Sequence, residues 1–288
     1  MQLIDLHVHS NASDGTFAPA EVVRLAKEGG LKALALTDHD TIDGLAEAVA
    51  AGETYGVEVI PGVEVSARCP GGSMHVLGLG IDYTNGHLDE RLAVLKRARI
   101  ERNPQIIAKL NALGVKITLE QVEKISGRGQ MGRPHIARAL MESGYVRSIQ
   151  EAFDIFLRND GKAYVPKFRF PPPEAIAMIR DVQGVPVLAH PFTLNLGSAV
   201  ALKNTLTELK ALGLAGLEAI YAEHSPEQEA LYLRLARELG LLVTGGSDFH
   251  GDNKPELTLG KMRGQERLTY RLVTALQDWR RREYHLPT

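Results

Sequence analysis

Short apolar, β-branched runs alternate along the chain with stretches whose apolar positions recur at helical spacing. Runs over 3–8, 33–37, 57–63, 75–81, 185–189, 216–220 and 241–244 read as strands. Helical patterns lie between and after them, over 19–28, 42–55, 173–182, 198–212, 226–239 and 267–282. Pro19 opens the first and Gly29-Gly30 closes it, the usual asymmetry of helix ends. Strand and helix in alternation predict parallel strands joined by crossovers, as an α/β barrel or a doubly wound sheet. The alternation stops between about Leu88 and Phe168, where four helical patterns (88–113, 118–125, 134–142 and 149–157) follow one another without a strand. This predicts an α/β body, residues 1–87 and 169–288, interrupted by a helical insertion over 88–168.

Composition adds little at first. The chain has 288 residues, 44% apolar and 24% charged, as in an ordinary soluble globular protein large enough to bury a full core. No apolar run approaches the roughly 20 residues of a membrane span, and the N-terminus lacks the basic start and apolar stretch of a signal peptide. Cys69 is the single cysteine, which excludes an internal disulfide framework and fits a reducing cytoplasm. The net charge of −2 is more informative once divided. Between Arg91 and Arg169 there are 16 Lys and Arg against 7 Asp and Glu, a local +9 that leaves −11 for the remainder. Ten of those 16 are Arg, the better fork for phosphate.

The histidines carry the chemistry. His7 and His9, two apart on one strand, can reach a common ion. Asp14 follows in a Ser-Asp-Gly turn. The second strand ends in Thr37-Asp38-His39-Asp40, where Asp40 is also placed to cap the next helix, with Asp43 three residues on. Glu64 interrupts the third apolar run, a costly position unless it is paired or metal-bound. His75 heads the fourth strand, His190 ends the fifth, and Asp248 and His250 follow the last. Parallel strands gather their C-terminal ends on one face, where barrel active sites lie. Five strands ending in His, Asp or Glu therefore predict a shared metal site. Nine candidate ligands exceed the needs of one ion, so two or three divalent ions bridged by Glu64 are expected. The absence of thiolate points to Mn, Zn or Fe.

At this point the chain resembles the PHP (polymerase and histidinol phosphatase) family of the amidohydrolase superfamily. The match is carried by Asp5-Leu6-His7-Val8-His9-Ser10, Thr37-Asp38-His39-Asp40, Pro61-Gly62-Val63-Glu64-Val65, His75, Ala189-His190-Pro191 and Ser247-Asp248-Phe249-His250. The resemblance implies a distorted (β/α)7 barrel, in keeping with the seven strands. It also implies three metal positions: His7, His9, Glu64 and Asp248; Asp14, His39 and His250; and Glu64, His75 and His190. Asp14 stands where many trinuclear relatives have His, and a carboxylate favours Mn or Fe over Zn.

The inserted helices resemble the stand-alone subgroup that removes the 3′-phosphate of nucleoside 3′,5′-bisphosphates and is linked to cleavage of short RNA. That resemblance implies substrate contacts from Arg99, Ile100, Glu101 and Arg102, and from Arg133, Pro134 and His135. Arg99 and Arg102 share a helix face. The segment 127–133 could offer amides to an anion, but it lacks the ending of a P-loop. The expected reaction is metal-dependent hydrolysis of a phosphate monoester by metal-activated hydroxide, with Asp38 or His135 as proton donor; the alternative role for Asp38 is to orient His39. The expected substrate is a small nucleotide with two phosphates, and no membrane or obligate protein partner is expected. Alternatives are a 5′→3′ exoribonuclease on short RNA, a histidinol-phosphate phosphatase and a non-catalytic PHP interaction module. His87, His224 and His285 are expected at the surface, and Trp279 in packing.

Overall fold

The computed structural model describes residues 2–127, 129–262 and 268–287. The chain runs β1 (Leu3–Val8), α1 (Pro19–Glu28), β2 (Leu31–Leu36), α2 (Leu45–Tyr55), β3 (Glu58–Ala67) and β4 (Met74–Leu79). Four helices follow: α3 (Gly86–Ala112), α4 (Leu119–Ser126), α5 (Arg133–Glu142) and α6 (Ile149–Ala152), the last widening into a π-helix over Phe153–Leu157. The body resumes with α7 (Pro172–Asp181), β5 (Val185–Leu188), α8 (Ala199–Ala211), β6 (Gly216–Tyr221), α9 (Pro226–Leu239), β7 (Leu242–Gly246) and α10 (Arg271–Tyr284).

The seven strands form one sheet in sequence order. Neighbours are parallel except that β4 runs antiparallel to both β3 and β5. Alternation alone predicted parallel strands; the reversal follows from the short turn between Ala67 and Met74, which cannot make the dozen-residue crossover a parallel pair requires. The sheet closes on itself where the Asp248 amide donates to the His7 carbonyl (2.9 Å) and the His9 amide to that of Phe249 (3.0 Å). Gly246 permits this closure, since a Cβ there would come within 2.3 Å of His7 Cβ. The result is a distorted (β/α)7 barrel of the PHP type with helical insertions.

Both faces of the sheet are buried. Leu34, Leu36, Val63, Val65 and Leu188 pack with the surrounding helices, while Ile4, Leu6, Ala35, Leu77 and Val187 form a second core closed by Val273 and Leu276 of α10. The helices between β4 and β5 have their own core, built from Ile106, Leu110, Val122, Ile136, Leu140 and Leu157. Among the described residues no helix is long and apolar enough to cross a membrane. Arg267, at the start of the last expected helix, lies outside the described residues; α10 begins at Arg271.

Candidate metal centre

The strand ends bring the histidines and carboxylates to one mouth of the barrel. His7 Nε2 and His9 Nε2 stand 3.1 Å apart. Glu64 Oε2 lies 3.2 Å from each, and Asp248 Oδ1 lies 3.3 and 3.0 Å away respectively. A second group joins His9 to Asp14, His39 and His250, with His250 Nε2 3.3 Å from Asp14 Oδ1. A third comprises His39, Glu64 and His75. The resemblance assigned His190 to that last position; its Nε2 does lie 2.9 Å from Glu64 Oε1, and His39 Nδ1 approaches the other oxygen at 2.9 Å. Because β4 is reversed, His75 at its start reaches the same mouth as residues at the ends of the others.

These donors fit divalent cations. Two imidazole nitrogens and two carboxylate oxygens converge within one contact distance, an arrangement of lone pairs that calls for a cation. The Nδ1 atoms of His39 and His75 lie near Glu64 yet are not aligned to hydrogen-bond with it, and both are buried without such a partner. Burial draws the His9 pKa down, but Asp248 and Glu64 overcome it and lift the ring to about 9. The same negative field attracts metal.

A further layer of residues holds the donors. Glu218 Oε1 lies 2.9 Å from His7 Nδ1, and its Oε2 accepts from the His190 amide at 2.7 Å. The sequence reading missed Glu218, although a carboxylate inside the apolar run 216–220 carried the same signal as Glu64. Asp5 accepts from the Ser247 amide and hydroxyl, fixing the segment that leads into Asp248. Three non-glycine residues with positive φ cluster here, Asp40, His190 and Asp248, so local strain is concentrated at the site. Glu218→Gln is expected to weaken metal binding by about 10- to 100-fold, read by competition against a chelating dye; unchanged affinity would deny Glu218 this role.

Asp38 and Asp40 have different duties from those expected. Asp38 is buried under the Ser10–Asp14 segment, accepting from the hydroxyls of Ser10 (2.7 Å) and Ser13 (2.6 Å). No hydrogen bond joins it to His39, and it does not line the cleft. Asp40 caps no helix: α2 starts at Leu45 behind Gly44 without a side-chain cap. Its carboxylate instead receives Arg99 Nη2 at 2.6 Å and Lys167 Nζ at 2.8 Å, all three groups buried. Burial opposes its ionisation, but Lys167 and Arg99 hold its pKa below the usual carboxylate range.

Beyond Arg99 lies a cluster of arginines. Arg102 is 3% exposed, and its Nε has no hydrogen-bond partner. Burial, with repulsion from Arg99, Arg133 and Arg169, lowers its pKa to about 8. Arg169 and Lys167 escaped the sequence reading because they sit where the helical segment rejoins the body. Ile100 is 68% exposed and Glu101 is also exposed, both turned away from the helix face of Arg99 and Arg102. In the segment 127–133, the Gly129 and Gln130 amides donate to Ser126 and Ala12, so neither is open to an anion; Arg128 lies outside the described residues. His135 is buried, with Nδ1 accepting from the Gly132 amide at 3.0 Å. His87 and His285 are exposed as expected, whereas His224 is 2% exposed, its ring packed among Tyr221, Phe192 and Tyr232. Asp14, His39, His75, His190, Asp248 and His250 line a cleft of about 690 Å³ with Pro134, while His7, His9, Glu64 and His135 lie behind its wall.

Known proteins bear on this centre. The family model for the PHP domain matches residues 5–160. The chain is 34% identical over 246 residues to a 5′-3′ exoribonuclease of Haemophilus influenzae, covering 85% of this chain and 89% of that protein. It is 34% identical over 251 residues to a 3′,5′-nucleoside bisphosphate phosphatase of Chromobacterium violaceum, covering 87% and 88%. A solved structure from Bifidobacterium adolescentis, described as a metal-dependent phosphoesterase, superposes with a TM-score of 0.86 at 33% identity over 96% of both chains. With the ligand clusters at its barrel mouth, the chain belongs to the PHP family, as a metal-dependent hydrolase of the amidohydrolase superfamily.

Proposed function

We propose that the chain is a 5′→3′ exoribonuclease acting on short, 5′-phosphorylated RNA, with nucleoside 3′,5′-bisphosphates as its shortest substrates. The two activities named among the relatives break one kind of bond. In each, water adds to phosphorus and the 3′-oxygen of a 5′-phosphorylated nucleotide departs with a proton. The phosphate attacked is either terminal or continues into the next nucleotide.

The observation that carries this reading is Arg102, a buried guanidinium among Arg99, Arg133 and Arg169 that makes no ion pair with a carboxylate among the described residues. Such a pocket suits a phosphate that is held and not hydrolysed. A histidinol phosphate has one phosphate and would leave it empty. The cleft of about 690 Å³ adjoins a second cavity of about 610 Å³, and together they exceed the space of about 1,000 Å³ usual for one small ligand.

Divalent ions, manganese before others given the carboxylates Asp14, Glu64 and Asp248, would supply a water activated at neutral pH and charge against the phosphoryl oxygens. The chain supplies orientation and a hydrogen bond to the leaving oxygen. Arg102 and Arg133 bind the 5′-phosphate, beside Arg99, which Asp40 fixes. His135 gives its Nδ1 lone pair to the Gly132 amide, so its neutral ring carries the proton on Nε2. Burial lowers its pKa and favours that neutral form. Nε2–H is therefore offered as a hydrogen-bond donor to the departing 3′-oxygen, which takes its proton from the attacking water.

Product analysis on a 5′-phosphorylated trinucleotide tests the proposal, with stepwise release of 5′-mononucleotides from the 5′ end expected. Arg102→Met should raise KM for that substrate about 10- to 100-fold, the value of a hydrogen bond to a charged group, and leave a 5′-hydroxyl analogue unaffected. Equal cleavage of the two substrates by the unaltered enzyme would rule out the 5′-phosphate pocket.

A further inference from the structure

Arg133 belongs to the cationic pocket and also to the wall of the second cavity. Ser73, Phe153 and Thr193 line both that cavity and the metal cleft. We propose that the second cavity is a nucleobase site: it receives the base of the 5′-terminal nucleotide, whose 5′-phosphate lies on the arginines and whose 3′-phosphate lies at the metal ligands. The inference rests on the nucleotide reading above and assigns that nucleotide's base a place.

Phe153 stands at the junction of the two cavities. The Arg133 guanidinium covers its ring at 5.7 Å, and aromatic rings of this kind are stacking platforms for bases. Phe153 also opens the π-helix, where the Arg158 amide donates five residues back to the Phe153 carbonyl at 3.0 Å. Single π-turns within helices recur at functional sites because they re-aim a side chain.

The remaining walls suit a neutral, hydrogen-bonding ring. Asn159 Nδ2 reaches the Gly72 carbonyl at 3.4 Å and Asn195 Nδ2 that of Gly71 at 3.5 Å, and neither Oδ1 accepts a hydrogen bond among the described residues. Carboxamide oxygens accept from the exocyclic amino groups of adenine, cytosine and guanine. Asp160, the acidic residue on this wall, is paired with Arg158 at 2.9 Å.

The floor is rigid and joined to the metal site. A Cβ on Gly72 would come within 2.2 Å of the Thr193 carbonyl, to which the Ser73 amide donates at 2.8 Å. The Thr193 hydroxyl lies between the Ser73 carbonyl (2.9 Å) and His190 Nδ1 (3.1 Å). One side chain therefore borders both the base cavity and a metal ligand.

Calorimetric titration of the manganese-loaded protein with adenosine 5′-monophosphate and with ribose 5-phosphate tests the assignment, because only the first has a base. The unaltered protein should bind adenosine 5′-monophosphate at least about tenfold more tightly. Phe153→Leu, and separately the pair Asn159→Ala with Asn195→Ala, should bring that ratio toward one without weakening ribose 5-phosphate. Should Phe153→Leu fail to fold, the exposed asparagine pair gives the same reading. Equal affinities in the unaltered protein, or a ratio unchanged by the variants that fold, would overturn the base site. Base preference without turnover of any 5′-phosphorylated nucleotide would instead defeat the exoribonuclease reading and leave the base site standing.

Discussion

Glu64→Gln is expected to lower turnover by about 10³-fold or more and to remove at least one equivalent of bound metal. The loss should exceed the 10- to 100-fold typical of a residue one step removed from a metal. Glu64 divides its two oxygens: Oε1 faces His75 (2.7 Å) and His190 (2.9 Å), while Oε2 faces His7, His9 and His39 at 2.9 to 3.2 Å. Glutamine keeps the shape but turns one acceptor into a donor aimed at imidazoles. Metal analysis and steady-state rates on the same preparation check this. A variant with near-normal turnover and a full metal complement would sink the bridging role.

Asp40→Ala should destabilise the fold by about 3–5 kcal/mol, the usual consequence of leaving buried charge without its partner. Arg99 from the helical segment and Lys167 from the chain returning to the barrel both depend on this carboxylate. The melting temperature should fall by on the order of 10 °C, with Asp40→Asn intermediate. Asp40 has a lowered folded pKa, so its contribution is complete above the ordinary value near 3.8 and is lost as pH falls through the folded value. The gap in melting temperature between the unaltered chain and Asp40→Ala should thus be widest near neutrality and narrow in strong acid. A gap that is small at pH 7, or that grows on acidification, would contradict the network.

The metal centre was legible in the sequence because its members fall at strand ends, and strand ends can be read from short apolar runs. His7, His9, Glu64, His190 and Asp248 needed little more than period and position. The network around Asp40 was not legible: its partners lie 59 and 127 residues away, and a local rule, helix capping, offered a ready alternative. Asp38 was misread for a similar reason, since nothing local says that Ser10 and Ser13 fold over it. His224 follows a strand as a loop residue would, and only tertiary packing draws its ring inside. Seven strands and most helix positions followed from periodicity; the direction of β4 depended on counting the residues in one turn.

That reversed strand has a consequence for how the molecule can diversify. β4 begins at the metal mouth and ends at the opposite end of the barrel, so the chain must climb back outside before it can cover the site. α3 makes the climb: its 27 residues span roughly 40 Å, and Arg99 and Arg102 sit about midway. Shortening α3 by one turn would draw both arginines back by about 5 Å while leaving every metal ligand untouched. The metal ligands and the buried arginines thus lie on separately adjustable lengths of chain, so that exchanging the segment between β4 and β5 would change the arginines and leave the ligands in place.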